Sequence, residues 1–390
     1  MSVIIVGGGM TGSTLALAIS SLTAGKLPVT LIEASRPEPH KAPEARALAL
    51  AQGSCQQLQR IGIWSALSGC ATAITRVQVS DRGHAGLVNL RAEDYAIAAL
   101  GQVIELHEAG RHLFALLDKA AGVTLCCPDR VAGVTRTQSQ VTVTLDSGKT
   151  LQGQLMIAAD GSSSPLANLC HIHSQVYNYQ QVAVTATLTT ARHPAGCAFE
   201  RFTHNGPLAL LPLSQGRSSL VWCHRLADHQ TVAGWDDAHF LQQLQQAFGW
   251  RLGKILKVET RHSYPLRLVR ASTHISHRLA LVGNAAQTLH PIAGQGFNLA
   301  LRDAISLAEL LAKAAERKDD VGAWPVLSHY QECRRTDQHN TVNLTDGLIS
   351  LFANHHQPLV AGRNLALMVM ERLPLLRAMF ARRALGWIEH

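Results

Sequence analysis

A Gly-x-Gly-x-x-Gly turn set between a buried strand and a helix constrains this chain more than any other feature. Val3 to Val6 is an unbroken run of β-branched aliphatic residues, the pattern of a parallel strand buried on both faces. It runs directly into Gly7-Gly8-Gly9-Met10-Thr11-Gly12, and Ser13 to Leu22 follows in helix-compatible composition. Strand, turn and helix in that order predict a dinucleotide-binding unit. Gly7 permits the tight turn, Gly9 removes a side chain from the path of a pyrophosphate, and Gly12 lets helix and strand pack closely. The unpaired N–H groups of the helix start then face the phosphates. Val29 to Ile32 reads as the second strand and ends at Glu33, roughly 20 residues past the glycines, where a carboxylate accepts from ribose hydroxyls. The acid favours an unphosphorylated ribose. The motif leaves FAD and NAD both open, and a glycine turn that merely packs a helix is the plain alternative.

Two later segments add to it. Leu155 to Ala159 is another short apolar strand ending in Asp160-Gly161-Ser162-Ser163-Ser164, at the strand end where open α/β sheets bind ligands. Leu279 to Val282 opens into Gly283-Asn284-Ala285-Ala286-Gln287-Thr288-Leu289-His290-Pro291-Ile292-Ala293-Gly294-Gln295-Gly296-Phe297-Asn298. A helix is expected over Phe297 to Ala315, with apolar residues at helical spacing. Gly294 and Gly296 allow close backbone approach to a ligand, and Pro291 stiffens the entry.

These three segments together resemble the aromatic-hydroxylating flavoprotein monooxygenases, the group typified by para-hydroxybenzoate hydroxylase, nearly end to end. The strings Ser80-Asp81-Arg82-Gly83-His84, Glu200-Arg201-Phe202 and Gly386-Trp387 resemble the ubiquinone-biosynthesis branch of that family. The resemblance implies an α/β fold: a Rossmann-like FAD-binding domain with an inserted mixed, largely antiparallel substrate-domain sheet and a helical C-terminus. The expected boundaries are 1–72, 100–174 and 269–345 for FAD, 73–99 and 175–268 for substrate, and 346–390 for the C-terminal helices. It further implies FAD contacts from Gly7, Gly9, Gly12, Glu33, Arg46 (in Glu44-Ala45-Arg46-Ala47-Leu48), Arg111, Asp160, Gly161, Gly283, Asn284, Pro291, Gly294, Gly296 and Asn298. Arg111 is expected to open a helix running to Lys119.

In such an enzyme NADH or NADPH reduces FAD, O2 reacts with the reduced flavin, and a C4a-hydroperoxide passes one oxygen to a phenol. Pro291, Gly294, Gln295 and Gly296 would shape the surroundings of that oxygen through backbone groups. The branch implies a polyprenylated methoxyphenol as substrate and a complex with other biosynthetic enzymes. Three positions depart from the family pattern: Asn284 where aspartate is usual, Gln287 where histidine is common, and Ala167 where an arginine often stands. Asn284 and Ala167 motivate one rival, a non-catalytic FAD-binding assembly subunit. A hydroxylase for another phenol or ring position is the second.

The middle of the chain carries no further nucleotide motif. Val141 to Leu145, Val182 to Leu188, Leu208 to Leu211 and Ser219 to Trp222 read as strands. Phe202, Trp222, His224 and His290 are the candidates for substrate contact. His329 to Phe352 is helical in pattern, with Trp324-Pro325 as an interruption. The tail from Leu359 carries Arg363, Arg372, Arg377, Arg382 and Arg383 among leucines and methionines. Such a segment fits either an anionic membrane surface or a packing role.

A formal charge of +8 spread along the chain suits phosphorylated cofactors or anionic lipid, and no nucleic-acid-binding module accompanies it. The eight cysteines are scattered without C-x-x-C pairs, so neither a metal site nor a disulfide framework is expected. A strand beginning at Val3 leaves no room for a signal peptide, and no apolar run is long enough to span a bilayer. The expected location is cytoplasmic, with peripheral contact at the inner face of the membrane.

Overall fold

The computed structural model describes residues 1–37, 46–352 and 356–387; Glu44, Ala45 and the Arg383 side chain lie outside the described residues. The strand Val3–Val6 sits inside a six-stranded sheet, between Leu155–Ala158 and Val29–Ile32. Both pairings are parallel, with Val3 opposite Leu155 and Val29. Leu279–Leu281 continues the parallel set on one side and Val123–Cys126 on the other. Alternate residues of the first strand enter different cores. Val3 and Ile5 pack with Leu15, Ile19 and Leu301, whereas Ile4 and Val6 pack with Met156, Val143 and Leu166. Burial on both faces is why the sequence shows no alternation there.

Helix Met10–Thr23 lies against helix Gln295–Glu316, so the first and third sequence segments meet. The glycine turn and the 283–296 segment therefore converge at the end of one sheet.

A second, seven-strand path runs Ile255–Val258, Ser174–Thr190, Arg217–Arg225, Gly206–Pro212, Cys197–Thr203, Arg76–Asp81, Leu87–Arg91, and His262–Ala271 also pairs with the long Ser174–Thr190 strand. Its pairings are antiparallel except between Cys197–Thr203 and Arg76–Asp81. One face packs beneath helix Asp237–Phe248, where Leu188, Leu220 and Trp222 meet Phe240, Leu244 and Phe248. The other face turns toward the six-stranded sheet. Val141–Leu145 does form a strand, but in a separate three-stranded sheet with Val131–Arg136 and Thr150–Gly153. Its Val141, Val143 and Leu145 pack with Ile4, Val6 and Met156 of the six-stranded sheet, so this strand is no part of the second sheet.

Trp324-Pro325 begins helix Trp324–Phe352 instead of interrupting one, because a first-turn proline forfeits no hydrogen bond. Arg334 holds this helix to Gln295–Glu316: its Nε donates to Asp303 at 2.6 Å, and its guanidinium also reaches Asp337. Arg302 donates to Asp337 at 2.8 Å, so the buried charges are paired in a connected set.

The tail forms two helices, Gln357–Arg372 and Pro374–Ala384. Leu367, Ala381 and Leu385 join a core with Val88, Leu90 and Phe202. Arg363 Nε donates to Asp81 at 2.8 Å and Asn364 Nδ2 does so at 2.9 Å, fastening the tail to the second sheet. Leu365, Leu375 and Met379 nevertheless remain 62, 75 and 61 % exposed. Among the described residues no helix is long and apolar enough to cross a membrane.

Candidate functional site

A cavity of about 1210 Å³ runs from the glycine turn to the tail helices. It exceeds the roughly 300–1,000 Å³ of an ordinary small-molecule pocket. Its polar end lies where the strand order reverses around Val3–Val6, the crevice in which open α/β sheets bind ligands.

The glycines divide into two groups. A Cβ on Gly7 (φ +102°) would collide with the Ala159 carbonyl, one on Gly12 with the Gly7 carbonyl, and one on Gly283 would lie 2.7 Å from Thr11 Oγ1. A Cβ on Gly294 would approach Ala49 Cβ to 2.9 Å. These four are glycine because protein atoms leave no room. At Gly9, Gly161 and Gly296 an added Cβ would meet nothing within 4 Å, and all three line the cavity. Their bareness leaves space for a ligand, and at Gly161 the positive φ of +92° requires glycine as well.

Gly9 caps helix Met10–Thr23 without any side-chain cap bond, and the first turn holds no acidic residue. Uncapped N–H groups facing a cavity suit an anion. Glu33 is fixed by the same loop: its Oε2 accepts from Gly8 N at 2.5 Å and its Oε1 from Ser35 N at 3.0 Å. Its remaining lone pairs suit ribose hydroxyls. Asn284 is exposed to the cavity and makes no hydrogen bond to another described residue, leaving its amide for a polyol. The polar donor set and the bare backbone fit a flavin dinucleotide.

Asp160 lines the cavity but is built into its own turn, accepting from Ser164 Oγ at 2.7 Å and Leu166 N at 2.9 Å. Burial raises its pKa, against those bonds. Ala167, at the family's arginine position, is buried in the second core. An arginine there would have to bury its charge. Arg46 reaches the cavity and lies over the Tyr264 ring, 5.2 Å from its centroid.

Two expected cofactor contacts are placed differently. Arg111 stands in the second turn of helix Leu106–Leu117, which begins five residues before the expected start. It is exposed, donates to Glu108 at 2.6 Å, and is not among the residues that line the cavity. Asn298 does reach the wall, but its amide is fully used. Its Oδ1 accepts from Ala51 N and Ser54 Oγ, and its Nδ2 donates to the Ala49 and Gly294 carbonyls. Asn298 thus fastens strand Ala47–Ala51 to the Gly294 turn, and any effect on a cofactor passes through that turn.

Of the substrate candidates, Phe202 and His290 line the cavity and Trp222 and His224 do not. The parity of strand Arg217–Arg225 decides this, since successive side chains face opposite sides. Val221 faces the cavity, and so Trp222 and His224 pack on the far face with Trp235. Burial lowers the His224 pKa to about 4. Phe202 stacks on Phe352 of the long helix with centroids 3.6 Å apart. His290 Nε2 meets Gln181 Oε1 at 2.9 Å while its Nδ1 is enclosed and unpartnered. Burial takes its pKa to about 4 as well, so the ring is neutral. Pro291, Gly294, Gln295 and Gly296 all lie on the wall beside it.

The far half of the cavity is apolar. Val79, Val88 and Leu90 of the second sheet face Leu351 of the long helix and Leu367 and Phe380 of the terminal helices. The tail contribution was not legible as a site, because its leucines and arginines do not segregate cleanly on a helical wheel. Glu200 also lines this half; its signal was a charged residue on the inward parity of an otherwise apolar strand face.

Comparison with known proteins follows the same geometry. The FAD binding domain family model matches residues 1–343. A ubiquinone hydroxylase of Rhodospirillum rubrum is 34 % identical over 99 % of this chain and 90 % of its own length. The 3-demethoxyubiquinol 3-hydroxylase of Escherichia coli is 30 % identical over 98 % of this chain and 97 % of its own. Among solved structures, p-nitrophenol 4-monooxygenase of Pseudomonas putida superposes with a TM-score of 0.81, covering 98 % of this chain and 97 % of that one, at 16 % identity.

Proposed function

Because the chain belongs to the FAD binding domain family, among the FAD-dependent ubiquinone hydroxylases, we propose that it hydroxylates a polyprenylated methoxyphenol in ubiquinone biosynthesis. As the resemblance to the ubiquinone-biosynthesis branch implies, the substrate is 2-octaprenyl-6-methoxyphenol, with the new hydroxyl placed para to the existing one. NADH or NADPH and O2 are the co-reactants. The observation that carries the reading is the continuity of one cavity, polar at Gly9 and Glu33 and apolar beneath the terminal helices.

FAD, when bound, would supply the redox chemistry between the nicotinamide and O2. The protein supplies position and dryness. N–H groups of the Gly9–Gly12 turn would hold the diphosphate, Glu33 would accept from the ribose, and Asn284 would bond the ribityl chain. Backbone groups of Pro291, Gly294, Gln295 and Gly296 flank the ring and keep water from the oxygen-transfer position. Phe202 offers the substrate ring an aromatic wall, and neutral His290, whose Nε2–H faces Gln181 Oε1, offers Nδ1 as a hydrogen-bond acceptor. The prenyl tail runs between the second sheet and the terminal helices. Leu365, Leu375 and Met379 beside Arg372 and Arg382 suit the surface of an anionic bilayer, where such a substrate resides, and the same exposed surface suits pathway partners.

The test is anaerobic reduction of the FAD-loaded protein by NADH or NADPH, with and without a prenylated methoxyphenol, then O2 and product analysis. Substrate-stimulated reduction and a hydroxylated ring are expected. Flavin that stays oxidised under every condition would favour the assembly-subunit reading. Hydroxylation confined to tail-less phenols would overturn the substrate assignment.

A further inference from the structure

Glu200 is the one glutamate on the apolar half of the cavity wall among the described residues. It lies in strand Cys197–Thr203 with Ala198 and Phe202 two residues to either side on the same face. In register it stands opposite Val79 on one neighbouring strand and Ala209 on the other. All four neighbours line the cavity with it. The strand gives Glu200 no route to the outer solvent, because a one-residue slip would turn Ala198 and Phe202 away as well.

Its contacts are incomplete. The Ala293 backbone N–H donates to the carboxyl. Oε1 is closed to solvent and has no hydrogen-bond partner among the described residues. Burial is the main cause that lifts its pKa to about 7, opposed by the Ala293 bond. The groups around it leave it without a counter-charge. Cys223 on strand Arg217–Arg225 is a thiol that burial holds protonated, and His290 before Ala293 is neutral. Asp81 and Arg363, on the neighbouring strand and the tail helix, pair with each other at 2.8 Å. A buried carboxylate oxygen without a donor is rare and calls for one. The Ala293 bond also ties the carboxyl to the segment that flanks the flavin site.

Resting on the phenol reading above, we propose that Glu200 is the catalytic residue that accepts the substrate's hydroxyl hydrogen and takes it as a proton during oxygen transfer. The phenol O–H bond breaks, the proton passes to the carboxylate, and the freed electron pair moves into the ring. The ring carbon then bonds to one oxygen atom of O2 as the O–O bond breaks, and the other oxygen leaves as water, with NADH or NADPH supplying two electrons and a hydrogen and solvent supplying one proton. Glu200 returns its proton to the first oxygen as that carbon releases its hydrogen as a proton, which regenerates the carboxylate. A general base must be within reach of the proton and titrate near the working pH, and this carboxyl meets the second condition.

The experiment uses oxidised, FAD-loaded protein without nicotinamide. 2-Geranyl-6-methoxyphenol and its O-methyl ether are titrated against the flavin absorbance from pH 6 to 8.5. For the parent protein the phenol should bind about tenfold tighter than the ether, as for a charge-assisted hydrogen bond, with the preference growing as pH rises through about 7. Glu200→Gln keeps an acceptor for Ala293 and should abolish the pH dependence and shrink the preference. Glu200→Asp should retain the pH dependence. In turnover the parent should show an acid limb that Glu200→Gln lacks, at a rate about a hundredfold lower. Unchanged pH dependence and preference in Glu200→Gln, with flavin content normal, would overturn the assignment while leaving the hydroxylase reading intact. Failure of both ligands to perturb the parent flavin would remove the phenol reading, and the role of Glu200 with it.

Discussion

Replacing Gly9 by leucine separates a position kept bare for a cofactor from one kept bare for packing. The backbone at Gly9 has φ −65° and ψ −173°, an extended conformation open to any L residue. An added Cβ would meet no protein atom within 4 Å, so the fold should lose no more than about 1 kcal/mol. The side chain would instead fill the space in front of the helix start. A diphosphate held there by backbone N–H groups gains roughly 1.5–3 kcal/mol per charge-assisted bond. Loss of two such bonds amounts to about 3–6 kcal/mol, or two to four powers of ten in FAD affinity. The control is Gly12→Ala, whose Cβ collides with the Gly7 carbonyl and should cost stability of about 1–3 kcal/mol or more with or without flavin. Quenching of flavin fluorescence on titration into apoprotein gives the affinity, and urea unfolding gives the stability. A folded Gly9→Leu protein that binds FAD within threefold of the parent would refute the placement of the diphosphate.

Further expectations concern the neighbouring interactions. Glu33→Ala should weaken FAD retention by about tenfold, seen as flavin loss on dilution, with the sheet intact by circular dichroism; one neutral-to-charged hydrogen bond is of that size. Asp303→Ala leaves Arg334 buried beside Asp337 alone and should destabilise by about 3 kcal/mol; a urea midpoint within error of the parent would contradict this. Burial lowers the His224 pKa from 6.5 to about 4, so its contribution to stability is complete above pH 6.5 and is lost as pH falls through 4. That contribution is at most about 3 kcal/mol. His224→Phe should flatten the fall in stability between pH 6.5 and 4, and an identical fall in both proteins would sink the argument.

The three nucleotide-site segments were legible because strand, turn and helix chemistry is local. A run such as Val3–Val6 announces burial on both faces, and glycines at fixed spacing announce close approach. Placements that depend on contacts between distant segments were less legible. Glycine identity does not reveal whether a ligand or a carbonyl fills the missing Cβ, and Gly294 proved to face Ala49. Trp222 and His224 were attractive by residue type, but the face they occupy depends on the pairing register of the whole sheet. Asn298 stands on the expected segment, yet its partners Ala49, Ala51 and Ser54 are some 250 positions away. Arg111 was tied to a helix start that lies earlier, since Leu106 and Ala109 already carry the helical period. The tail's place over the apolar cavity depends on Asp81 meeting Arg363 and Asn364, a contact between segments that show no common pattern.

The most direct measurement is a crystal structure of the protein grown with FAD and a prenylated methoxyphenol. The diphosphate should lie within hydrogen-bonding distance of the backbone around Gly9, with the flavin ring beside Pro291 to Gly296 and the phenol between that ring and Phe202. A flavin bound outside this crevice, or a prenyl tail leaving on the Trp222 side of the second sheet, would contradict the account.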